Sequence, residues 1–429
     1  MSRPAPPSRA ASPRRRLLVL LLVPGLVAAE SATPAEPEAG GRPAEVRLQI
    51  LNRAPETATV SQLGAGRPPA PAATIPVGGQ VILPAEAGTE FMIVGATTGL
   101  EERVAARLPV QAFVFRPDPA PPAGVEADPE GRVVPPPAAL KVDPFHAKCT
   151  TAGGFPIVAS ARVSDFALLE AAHLVDALLA ARPDVRRALV ESGTRLCILG
   201  HDEYTTDLPE FAFLAEGAPE GFPGLSGRDY WDARARGTGG SATDPYCSCG
   251  EENLLGYEGD PYAAECVLIH EFAHAVHLRG MANVDPSFDA RLRAAYDAAL
   301  REGLWKGTYA SVNHHEYFAE GVQSWFDDNR VDDHDHNHVH LRSQLVEYDP
   351  RLAALCREVF GDAELRYTKP ATRLSGHLAG YDPATAPRFA WPARLAEAQA
   401  RILRHAQDRA RDAGPRPGPP EDDDAHAPR

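Results

Sequence analysis

The most confining stretch of this chain is the apolar run from Tyr262 to Leu278, which carries His270-Glu271-Phe272-Ala273-His274 among Ala263, Cys266, Val267, Ile269, Phe272, Ala273 and Val276. The recurrence of apolar residues predicts a helix, stopped by Gly280. Two histidines at i and i+4 then share one helical face, with the glutamate beside the first. Three such groups in a core helix are costly to bury without a partner. A divalent metal is the partner that fits: two imidazoles one turn apart can ligate one zinc, and the adjacent carboxylate can reach its water. Core histidines satisfied without a metal are the plain alternative.

A catalytic zinc needs a third protein ligand and an open position. The metzincin pattern wants Gly at 277 and His at 280, but this chain has His277 and Gly280. A thermolysin-like Asn-Glu pair is also missing further on, where Ala294, Ala295 and Tyr296 stand. Asp285-Pro286 opens an amphipathic packing helix, Phe288 to Arg301, and a later helix beginning at Asn313 sets Glu316 and Glu320 on one face. Either acid can supply an oxygen ligand, and two acids one turn apart suit a ligand with a supporting partner. Asn313-x-x-Glu316 also reads as a capping box, in which Glu316 would bond the helix start. His314-His315 offer a competing imidazole, so the third position stays open between Glu316 and His314/His315.

With these residues in view, the helix His270 to His274, then Tyr309, then Glu316-Tyr317-Phe318-Ala319-Glu320, resemble the zinc peptidases related to anthrax lethal factor and the clostridial Pro-Pro endopeptidases. The likeness covers about 60 residues, Tyr262 to Phe326, and the rest of its segment loosely. It implies a zincin-like catalytic domain with His270, His274 and Glu316 on Zn2+, Glu271 as general base, Tyr309 as the hydroxyl assisting at the substrate oxygen, and Glu320 as the acid behind the ligands. A peptide or protein substrate follows from the resemblance. Asp332-Asp333-His334-Asp335-His336-Asn337-His338-Val339-His340 either holds a second metal or forms a solvated, internally bonded turn. His377 has no partner at metal spacing and reads as structural.

Prolines divide the rest. Of 42, 22 fall in residues 1–44, 116–144 and 412–429, where runs such as Pro135-Pro136-Pro137 favour extended chain. Arg14-Arg15-Arg16, the apolar Leu17 to Val23 and Val27-Ala28-Ala29 read as a secretory leader cleaved near Ala29. The arginines also permit twin-arginine export of a prefolded, metal-loaded protein. The apolar run is shorter than the roughly 20 residues that span a bilayer. Five arginines and no acids leave with the leader, so the net charge moves from −15 to −20, which argues against a nucleic-acid partner. In an exported chain, Cys149, Cys247, Cys249 and Cys356, placed in or near loops or element ends, are the expected disulfide partners; Cys197 reads as strand and Cys266 as helix.

From Glu45 to Phe115 short alternating pieces (Val46, Leu48, Ile50; Ile75; Val81, Leu83; Phe91, Ile93; Val110, Ala112, Val114) predict a small antiparallel β-sandwich. Leu48 to Asn52, Pro55-Glu56-Thr57 and Thr74-Ile75-Pro76 resemble the β domain of the von Hippel-Lindau tumour suppressor, which implies a fold only. The expected organisation is a signal peptide (1–29), a linker (30–44), a β-sandwich domain (45–115), a proline-rich linker (116–144), an α+β zincin-like metallopeptidase domain (145–411) and a disordered acidic tail (412–429). The expected function is an exported, secreted or periplasmic, zinc-dependent endopeptidase. An inactive zincin scaffold acting as a binding protein, or a zinc hydrolase acting on a different amide, are the alternatives.

Overall fold

The computed structural model describes residues 45–64, 66–117 and 131–414. The expected leader, the linker 30–44, the centre of the proline-rich linker (118–130) and the tail from 415 lie outside the described residues. All described residues belong to one compact unit.

The N-terminal part is all β. β1 (Glu45–Asn52), β2 (Ala58–Gly64), β3 (Arg67–Ile75), β4 (Gln80–Glu86), β5 (Glu90–Gly95), β6 (Glu101–Ala105) and β7 (Val110–Phe115) form a three-stranded sheet ordered β4-β1-β7 and a four-stranded sheet ordered β3-β2-β5-β6. Val46, Leu48 and Ile50 from the first sheet meet Val60, Phe91 and Ile93 from the second in one core. The sheets are not antiparallel throughout, because β1 and β7 run parallel, with Leu48 opposite Gln111. β3 contains Pro68, Pro69 and Pro71 and is nonetheless a strand, since among the described residues it is an exposed edge paired only with β2.

The C-terminal part, built from strands and many helices, rests directly on this β region. Leu51, Ala112 and Val114 share an apolar cluster with Leu199, Phe211 and Tyr246, and the Gln49 amide donates to the Thr243 carbonyl at 2.6 Å. Part of the expected second linker is packed as well: Val134 exchanges two backbone hydrogen bonds with Cys149.

β8 (His146–Ala152), β9 (Phe155–Ser160), β10 (Arg195–Leu199), β11 (Gly237–Thr238) and β12 (Tyr246–Gly250) make a sheet ordered β11-β12-β10-β9-β8, parallel across β9, β10 and β12 and antiparallel at both ends. β10 and β12 are buried on both faces, as parallel strands covered on two sides must be. Leu196, Ile198, Cys247 and Cys249 face the main core, while Cys197, Leu199 and Tyr246 face the β region. Here the disulfide expectation fails: all six cysteines are buried and unpaired, with Cys149 on β8, Cys247 and Cys249 side by side in the core on β12, and Cys356 within a helix.

The helices are α1 (Asp165–Leu178), α2 (Pro183–Glu191), α3 (Gly227–Arg234), α4 (Glu251–Leu255), α5 (Val267–Ala275), α6 (Ala282–Val284), α7 (Phe288–Arg301), α8 (His314–Trp325), α9 (Arg342–Tyr348), α10 (Pro350–Phe360) and α11 (Ala396–Ala413). None is long and apolar enough to cross a membrane. α5 starts five residues later than its apolar pattern, because its first donors are taken from outside: Asp328 accepts from the Cys266 N–H and Asn253 from the Val267 N–H. It also fails to stop at Gly280. A π-helical turn, Val276–Met281, carries it into α6, and Gly280 is there for space, since a Cβ would stand 2.7 Å from Val185. α8 is buried along nearly its whole length and packs beside α5.

Candidate metal centre

α5 and α8 supply the side chains. Position 313 decides the aim of Glu316. The Asn313 side chain accepts from the backbone N–H of His315 (2.8 Å) and of Glu316 (2.9 Å), which caps α8 without help from the glutamate. The Glu316 carboxylate turns instead to α5: its Oε2 lies 3.1 Å from His270 Nε2 and 3.3 Å from His274 Nε2, and the two Nε2 atoms are 3.3 Å apart. Four tetrahedral zinc bonds of about 2.0–2.1 Å set ligand atoms about 3.3–3.4 Å apart, so this near-equilateral triangle of two nitrogens and one oxygen fits such an ion. It is one of three groups of His, Cys, Asp and Glu among the described residues whose ligand atoms gather within 4.8 Å.

Gln323, not singled out from the sequence, orients the first histidine. His270 Nδ1 lies 2.8 Å from Gln323 Oε1, so Nδ1–H donates there and Nε2 is left with its lone pair toward the triangle. Glu316, Glu320 and Gln323 stand at i, i+4 and i+7 of α8, a helical spacing that already places all three on one face. Glu320 is 3.5 Å from His270 Nδ1, accepts from the Asn329 amide at 3.0 Å, and is 3.3 Å from His336 Nε2. His336 is also 2.7 Å from Asp333. Thus the Asp332–His340 stretch, which gathers no such metal-ligand group among the described residues, reaches the centre through Glu320.

Glu271 and Tyr309 stand beside the triangle. Glu271 lies under β11: a Cβ on Gly237 would be 2.8 Å from Glu271 Cγ, and one on Gly239 would be 2.5 Å from His274 Cδ2. Only glycine lets this edge strand approach so closely. The Tyr309 ring centroid is 6.0 Å from that of His270, its N–H donates to the Asp335 carbonyl at 2.7 Å, and Arg409 of α11 sits over its ring at 5.8 Å. His314 and His315 face away from the triangle: His314 toward Asp289 at 3.0 Å, His315 toward His277.

Burial shapes the charges here. It pushes the Glu271 carboxyl up, with His270 and His274 opposing and Glu316 adding to the rise. It pushes the Tyr309 phenol well up, reinforced by Glu316, so the hydroxyl keeps its proton. For Glu316 burial acts upward too, but the attraction of His274 and the hydrogen bonds of both histidines overcome it and hold the carboxyl well below its ordinary range.

Neither a comparison with protein-family models nor a search of curated proteins finds a match for this chain.

Proposed function

We propose that the chain is an exported, zinc-dependent endopeptidase whose α+β catalytic region has a zincin-like fold. The observation that carries this reading is the convergence of His270, His274 and Glu316 beside an unligated glutamate, Glu271, and a protonated phenol, Tyr309. When bound, zinc supplies Lewis acidity and lowers the pKa of a water toward about 7. His270 and His274 present their Nε2 atoms and Glu316 its Oε2; Gln323 and Glu320 hold His270 in place. Glu271 takes the proton of the attacking water and passes it to the departing amine nitrogen, a role its raised pKa suits. Tyr309 donates a hydrogen bond to the carbonyl oxygen as negative charge develops, a contribution of about 3 kcal/mol.

A peptide is favoured as substrate by the sheet edge. Among the described residues β11 pairs only with β12, and this edge segment lies against Glu271 and His274, the place at which an extended chain adds as a further strand. Export rests on the arginine-led apolar segment before Ala29. The test is cleavage of a peptide library by purified protein. Chelator should abolish it, and Glu271→Gln should lower turnover by about 10²–10⁴ while zinc stays bound. Zinc binding without any chelator-sensitive cleavage would point instead to a binding scaffold.

A further inference from the structure

On the outer side of α8 lies a second histidine cluster that the proposed reaction does not use. His277, three residues past His274, sits in the π-helical turn and is 2% exposed. Its Nε2 is 3.0 Å from Asp289 Oδ1 of α7, and His314 Nε2 approaches the same oxygen at 3.0 Å. Arg293, largely exposed, reaches the other oxygen at 3.4 Å and His314 Nε2 at 3.2 Å. With Nε2–H of His277 donating to Asp289, the lone pair of that ring lies on Nδ1. That Nδ1 faces His315 Nδ1 at 3.5 Å.

Two ring nitrogens 3.5 Å apart are at the far limit for a hydrogen bond, yet close to the separation of two ligands on one tetrahedral ion. The surroundings favour a cation. The Asp289 carboxylate has ligand atoms of His277 and His315 within 4.8 Å and is itself partly open to solvent, which leaves an entry path. Carboxylate behind imidazole is the arrangement that fixes a ligand's tautomer.

We propose that His277 and His315, backed by Asp289, bind a second divalent transition-metal ion through their Nδ1 atoms, with water in the remaining positions. Imidazole ligands select Zn2+, Co2+ or Ni2+ over Mg2+ or Ca2+. The ion ties the first turn of α8, one residue before Glu316, to the helix that carries His270 and His274. It is separate from the catalytic centre and stands or falls apart from it.

The experiment is equilibrium dialysis of untagged full-length protein against Zn2+, with bound metal measured by elemental analysis and repeated with Co2+ for its visible spectrum. Wild type should hold two equivalents. His315→Gln, at a partly buried position, should hold one, and His274→Ala should hold the other; circular dichroism shows whether each variant is folded. Asp289→Asn should weaken only the second equivalent, by about 10–100-fold. A single equivalent that His274→Ala removes and His315→Gln keeps overturns this site and leaves the catalytic reading standing. A single equivalent lost only in His315→Gln supports this site and sinks the other.

Discussion

Glu170 of α1 and Glu316 of α8 are both buried glutamates that face imidazole, and their charges are balanced in different ways. Glu170, 0% exposed, takes hydrogen bonds from both terminal guanidinium nitrogens of Arg373 and lies 2.6 Å from His377, which stacks on His173 at 4.1 Å. Its partner charge is permanent, because guanidinium does not titrate in proteins. Among the described residues Glu316 meets only His270 and His274 at such distances. Its balancing charge is an exchangeable one, a proton on an imidazole or a metal ion in its place. A buried carboxylate tied to arginine fastens a structure, whereas one tied to two histidines is equipped to take up a cation.

Exchanging the two acids for amides gives the sharpest test. Glu316→Gln should lose stoichiometric zinc at the proposed centre, a larger effect than the roughly 10–100-fold that loss of an outer partner costs, while Glu170→Gln should keep it; elemental analysis after dialysis reads both. If Glu170→Gln also sheds the metal, the distinction collapses. Next, Gln323→Ala should lower zinc affinity by about 10–100-fold in a chelator competition, because His270 loses the acceptor that fixes its tautomer. The smallest effect is on stability: Glu170→Gln should cost about 2 kcal/mol in urea unfolding, the range for hydrogen bonds to a charged group. That cost should depend on pH. Burial pushes Glu170 up, but His377 and Arg373 outweigh it and depress its pKa. Its contribution is therefore complete above the unfolded value of about 4.5 and is lost as pH falls through the lower folded value, so wild type and Glu170→Gln should converge in acid.

The sequence made the local parts of the centre readable and left the tertiary parts hidden. Helical spacing alone put His270 beside His274 and Glu316 beside Glu320, and the same spacing reached Gln323, whose amide carries no charge to draw notice. His336 was visible only as one member of a polar run. Its link to Glu320 depends on how the loop folds back over α8, which no local pattern encodes. The small residues of β12, Tyr-Cys-Ser-Cys-Gly, carry no β-branched signal; it is a strand because β10 and β11 flank it and both faces are covered. Cys149, Cys247 and Cys249 lie in the same sheet and Cys356 in α10, so packing, not compartment, decides where they stand.

The π-helical turn has a mechanical consequence. Beyond it, Asn283 of α6 exchanges two hydrogen bonds with the backbone of Val110 on β7, at 2.8 and 2.9 Å. A single rod of helix therefore runs from His270 and His274 to a strand of the β region, with the π-helical turn between them. Tension on β7 would be delivered along that rod to His274.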